Sequence, residues 1–270
     1  MTPYARAAPS RQQGVVMLST HFSYQLAIRD LPRSLEIVQS DQRVQRDTDY
    51  YLENIGNVNS IEEFMEDDRL YAYAMKAHGL EEMTYAKAMI QKVLEEGRDE
   101  PDAFVNRLTD PRYRALAETF DFKRYDGATT SFSKAQTGVV DKFLRQQLEE
   151  NAGAQNEGVR LALYFERNAP SLTTTEGILA DRALSTVVRQ VLQIPEATAF
   201  LDIDKQVAML DEQIDINDFA DPDKLADFID RFVNLWDVTN AVPSADANLF
   251  GQGTGFGLST DLLLTIQSLR

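Results

Sequence analysis

Apolar residues recur at intervals of three and four through most of the chain, the spacing that lines up one face of an α-helix. Ser60–Phe122 shows this best. Ser60 with Glu63 forms a capping box that opens a short helix. Asp67 or Asp68 opens the next, which carries Leu70, Ala74 and Ala77 on one face and stops at Gly79. Thr84–Glu96 places Ala88, Ile90, Val93 and Leu94 inward and closes at Gly97. Asp99–Leu108 and Asp110–Phe122 each begin on an acidic cap, with Pro111 at the first helical position of the second. Upstream, Phe22–Ile55 is helical, with Pro32 in a first turn after Asp30-Leu31 and a stop at Gly56-Asn57. Downstream, Ser133–Asn151 and Gln155–Asn168 form two apolar helices, ended by Asn168-Ala169-Pro170. Thr173–Gln193 reads as one long helix, followed by Asp202–Gln213, Asp215–Phe219 and Asp221–Asp237.

Strand signals are nearly absent: no alternating Val/Ile/Thr run of useful length appears, nor an Asn-Gly hairpin. The expectation is an all-α fold, a bundle of short and medium helices. A repeat runs through it. Setting Asp67 against Asp181 brings Leu70, Ala74, Ala77 and Leu80 opposite Leu184, Val188, Val191 and Ile194. Asp110-Pro111 stands opposite Asp221-Pro222, and Leu116 and Phe120 match Phe228 and Phe232 with one residue of slip. Two related modules packed around central helices are therefore expected. The expected divisions are a disordered leader over 1–20, a helical module over 21–122 and a polar connector over 123–132. Central helices and the second module follow over 133–240, then a Gly-rich tether and short apolar helix over 241–270.

Charge narrows the partners. The 270 residues carry 43 acidic against 27 basic side chains, a net charge of −16. Such a field repels phosphate, which argues against nucleic acid and anionic membrane surfaces unless basic residues segregate. They do not: Arg160, Arg167, Arg182 and Arg189 are each flanked by apolar or acidic neighbours. With no cysteine, disulfides, thiolate metal sites and a cysteine nucleophile are excluded. No apolar run approaches the ~18 residues of a membrane span. The first residues lack the apolar h-region of a Sec signal, and Met1 and Met17 both stand as starts. A cytoplasmic protein, or one exported without a Sec signal, fits these features.

No catalytic constellation emerges. The two histidines are His21 and His78, and His78 precedes a helix-ending glycine, where its cation would face terminal carbonyls. The acidic runs Glu62–Asp68 and Asp202–Asp223 read as solvated faces and helix starts, and neither has EF-hand spacing. Gly251, Gly253, Gly255 and Gly257 follow no strand and precede no lysine, so they read as a tether and not a phosphate loop. Trp236 shares a helix with Phe228 and Phe232 and belongs to a core. The expectation is no catalytic residue, no metal ligand and no cofactor. A tail helix over Thr260–Leu269 presents Leu262, Leu263, Ile266 and Leu269, and either docks on a partner's groove or folds back on its own core.

The segments EEFMEDDRLYAYAMKAHGLE, DAFVNRLTDPRYRALAETFDF, GVRLALYFERNAPS and ILADRAL resemble a bacterial family known only as a domain of unknown function. The resemblance runs from Phe22 to Asp237, with NRLxDPRY and ALYFER its more specific motifs. It implies a helical protein whose gene lies among flagellar genes, and it carries no catalytic or ligand-binding residues to this chain. The expected function is a non-enzymatic interaction or assembly protein with a protein partner among flagellar components. A small-ligand binder or enzyme with a pocket between the modules is the alternative, and a homo-oligomeric scaffold the third. The surfaces expected to bind are the Phe22–Ile55 region and the tail helix.

Overall fold

Aspartate and serine side chains set the helix starts, and the helices they open follow one another in short steps. The computed structural model describes residues 19–240. Ser19 caps α1 (Thr20–Arg29), Asp30 caps α2 (Leu31–Gln39) and Asp41 caps α3 (Gln42–Ile55). Ser60 opens α4 (Ile61–Glu66) through a bond from the Glu63 amide, while the Glu63 carboxylate takes the Asn59 amide at 2.7 Å. Asp67 opens α5 (Asp68–Ala77), which ends at Gly79 with φ +69°. After α6 (Lys87–Glu96), α7 (Pro111–Thr119) and α8 (Phe122–Tyr125) come the long central helices α9 (Thr137–Gly153) and α10 (Glu157–Asn168). Then follow α11 (Thr175–Ala180), α12 (Arg182–Leu192), α13 (Ile203–Asp211) and α14 (Pro222–Thr239). The fold is all-α, with no strand among the described residues. None of these helices is long and apolar enough to cross a membrane.

Several expected elements are shorter than the periodicity suggests, because local side-chain bonds compete with the helix. Thr84 does not cap a helix; its hydroxyl donates back to the Glu81 carbonyl at 2.9 Å, and α6 starts at Lys87. The segment Asp99–Leu108 contracts to a 3-10 turn at Phe104–Arg107, and Asp215–Phe219 becomes a 3-10 turn over Ile216–Ala220. Thr173–Gln193 is two helices, not one. Asp181, in extended backbone, accepts from the Ala183 and Leu184 amides and starts α12 afresh. The leader up to Leu18, the tether and the tail helix with Leu262, Leu263, Ile266 and Leu269 lie outside the described residues.

The order of elements repeats. From α3 to α7 it runs helix, short helix, helix, 3-10 turn, helix, 3-10 turn, helix; from α10 to α14 it runs the same way with one added 3-10 turn, Ala169–Ser171, after α10. The match extends to single bonds. Asp67 caps α5 and accepts the Tyr50 hydroxyl at 2.7 Å; Asp181 caps α12 and accepts the Tyr164 hydroxyl at 2.5 Å. Tyr50 and Tyr164 are offset by the same number of positions as Asp67 and Asp181. The repeat therefore begins one helix earlier than the apolar pattern alone shows. Asp181→Ala removes both the cap and the partner of a buried hydroxyl, so it is expected to cost about 2 kcal/mol in urea denaturation.

One core joins both units. Phe64, Phe120 and Phe122 cluster in the first, with Phe64 and Phe120 ring centres 4.8 Å apart. Phe165 stacks on Phe228 at 5.3 Å in the second, with Phe219 edge-on. Between them α9 and α10 are tied by charge. Glu149, 1% exposed, accepts two bonds from Arg167, each 2.7 Å, and lies 3.5 Å from Arg145 Nε. Arg145 in turn donates to Glu166 at 2.5 Å.

Candidate functional site

An open groove of about 810 Å³ lies between α3, α5 and α9. The local sequence explains its walls. Asp41 bonds the Arg43 and Val44 amides, fixing where α3 starts and turning Arg43, Arg46, Asp47 and Tyr50 along the groove. Arg69 on α5 lies over the Tyr50 ring, 3.7 Å from its centre, with Nη2 3.5 Å from Asp47. Lys76, about two turns further along the same face of α5, donates to Glu150 of α9 at 2.7 Å. Gln147 and Asn151, also on α9, are bonded to each other at 3.2 Å.

The floor is aromatic. Tyr73 is stacked between Phe143 at 3.9 Å and Tyr51 at 4.5 Å, and its hydroxyl pairs with Thr48 at 3.0 Å. Burial pushes the Tyr73 phenol well above its usual range, so it stays neutral. The hydrogen bond to Asp67 raises the Tyr50 phenol. Asp47, Asp67 and Glu150 are each engaged with a neighbouring side chain. The lining holds four cations and four anions, near balance in a chain of net charge −16. Such walls suit polar recognition.

His78 is the other titratable group of note, and it is shut away from the groove. Its Nδ1 sits 2.8 Å from the Ala74 carbonyl, which can only accept, so Nδ1 carries the proton. Nε2 therefore accepts from Lys142 at 3.1 Å. Burial first, then the Lys142 charge, lowers the ring to about 3. The sequence-based expectation of a cation facing the helix end is thus corrected: the carbonyl contact exists, made by a neutral ring.

Of the Phe22–Ile55 region, α3 supplies one groove wall, while Phe22, Leu26 and Ile37 are exposed on α1 and α2. Sequence reasoning did not single out Arg69, Tyr73, Lys76 or Phe143. The repeat held the signal: Asp47, Arg69 and Lys76 occupy the places of Leu161, Ala183 and Gln190.

Residues 77–225 match the family described as a protein of unknown function, DUF1217. The chain belongs to this family. The DUF1217 match takes in the α9 wall of the groove, while α3 lies before it. A crystal structure of an Agrobacterium tumefaciens protein is similar in fold, with a TM-score of 0.76 and 45% identity, over 83% of this chain and 97% of that one. No curated protein matches the sequence.

Proposed function

We propose that this DUF1217 protein is a non-enzymatic interaction factor that binds a partner protein through the α3–α5–α9 groove. The observation that carries the reading is the groove itself: open, walled by helices, floored by stacked rings, with Asp47 beside Arg69 and Glu150 bonded to Lys76. The resemblance in sequence directs the search for the partner to the flagellum, as an assembly factor or minor structural component.

The test is a deletion strain complemented with the full chain or with Ala72→Trp, which places an indole in the middle of the groove from an exposed position. Impaired swimming that the wild type restores and the variant does not is expected, with a flagellar protein recovered on the wild-type chain alone. Normal swimming in the deletion strain would remove the flagellar assignment. Equal rescue by both chains would remove the groove. Light scattering on the same two proteins separates partner binding from self-association.

A further inference from the structure

The two units differ in how their last helix is used. In the second, α14 is 18 residues long and packs on both α10 and α12. Trp236 fits against Gly158, where an added Cβ would fall 2.4 Å from the indole. At the other side, Gln190 reaches the α14 backbone at Leu235 and the Thr239 hydroxyl, the latter at 2.8 Å. By the repeat, Gly158 corresponds to Val44 and Gln190 to Lys76, and both of these line the groove. The groove is therefore the counterpart of a place that α14 fills.

In the first unit it is filled only on the α5 side. The counterpart of α14 is α7, which has 9 residues and packs on α6. Helix α9 lies along α5 and takes Lys76 through Glu150, but meets α3 only slightly. Val44 stands where a glycine allows the close approach in the second unit. The wall from Asp41 to Tyr50 is left open; on it Asp47 stands where the closed copy has Leu161, and Arg43 where it has Glu157, the ion-pair partner of Arg160, whose own counterpart is Arg46.

We propose that the groove receives an acidic amphipathic helix from a partner protein, which completes the first unit as α14 completes the second. This rests on the groove being the binding site. The acidic preference follows from Arg43 and Arg46, three apart on one face of α3. Arg69 and Lys76 already hold carboxylates, whereas Arg43 and Arg46 form no ion pair among the described residues, and Arg46 Nε is anchored on the Gln42 carbonyl at 3.1 Å. Their guanidinium groups are free to take incoming carboxylates, the geometry in which arginine binds best. Helix-in-groove binding of this kind reads side chains one turn apart.

The probe is a fluorescein-labelled peptide with the α14 sequence, Pro222–Thr239, and a second with Asp223→Lys, Asp227→Lys and Asp230→Lys. Each is titrated by anisotropy against the full chain. The acidic peptide is expected to bind at least about tenfold tighter than the lysine peptide, against the pull of the protein's overall charge. Arg43→Glu with Arg46→Glu should erase that preference, and Ala72→Trp should abolish binding of both peptides while circular dichroism stays unchanged. If Ala72→Trp abolishes binding but the peptides bind alike, the groove stands and the acidic helix falls. If peptide binds and Ala72→Trp has no effect, the groove itself is wrong. Absence of binding by the acidic peptide overturns the proposal.

Discussion

Glu149→Leu is expected to lower unfolding stability by about 3–5 kcal/mol, because it strands two arginines in the seam between α9 and α10. Glu149 is 1% exposed and takes both Arg167 bonds, while Arg145 sits alongside. Removing one partner leaves the desolvation cost of the others without the attraction that offset it. The loss would be a large part of the ~5–15 kcal/mol that holds a typical domain together. Glu149→Leu combined with Arg167→Met should recover much of it, since apolar pairs of similar volume replace buried ion pairs at little cost. Urea denaturation of the two single variants and the double variant closes the cycle. A single-variant loss below about 1 kcal/mol would mean that water reaches the seam.

Acid should weaken the fold through His78 before the carboxylates titrate. Its folded pKa, about 3, lies below the ordinary value of 6.5. Above pH 6.5 the ring is neutral in both states and contributes no pH dependence. As pH falls from 6.5 the unfolded chain takes up a proton that the folded chain refuses, so stability drops by about 1.4 kcal/mol per unit. The drop continues until the folded ring protonates. Between pH 7.5 and pH 5.0, the wild type is therefore expected to lose about 2 kcal/mol more than His78→Gln. Parallel pH slopes for the two proteins would show that the folded ring accepts a proton, and that Lys142 moves away when it does.

Helix starts were legible in the sequence because they are local chemistry. Ser60, Asp67, Asp110 and Asp221 each cap a helix with a side-chain oxygen. Gly79 and Gly97 adopt the left-handed φ that marks a stop, whereas Gly56, with φ −67°, ends its helix without it. The break at Asp181 was hidden, since the residue holding it open is Tyr164, a helix away in the fold. The groove was hidden for a similar reason. Its floor is made where Tyr73 meets Phe143, residues far apart in sequence whose apolar spacing says only that each is buried. What the sequence did contain was the repeat, and within it the polar substitutions along α3 and α5. Their meaning depends on which face α14 covers in the other copy, and that is a tertiary fact.

A glycine at 158 and a valine at 44 are the same position answered two ways. The first lets helices close until a methyl group has no room; the second carries a buried side chain at the edge of the groove. A tandem duplication of this kind holds one fold in two states, one copy sealed and its twin left ajar. Sequence drift among family members should accordingly halt at Gly158 and Trp236, where there is no slack left to spend.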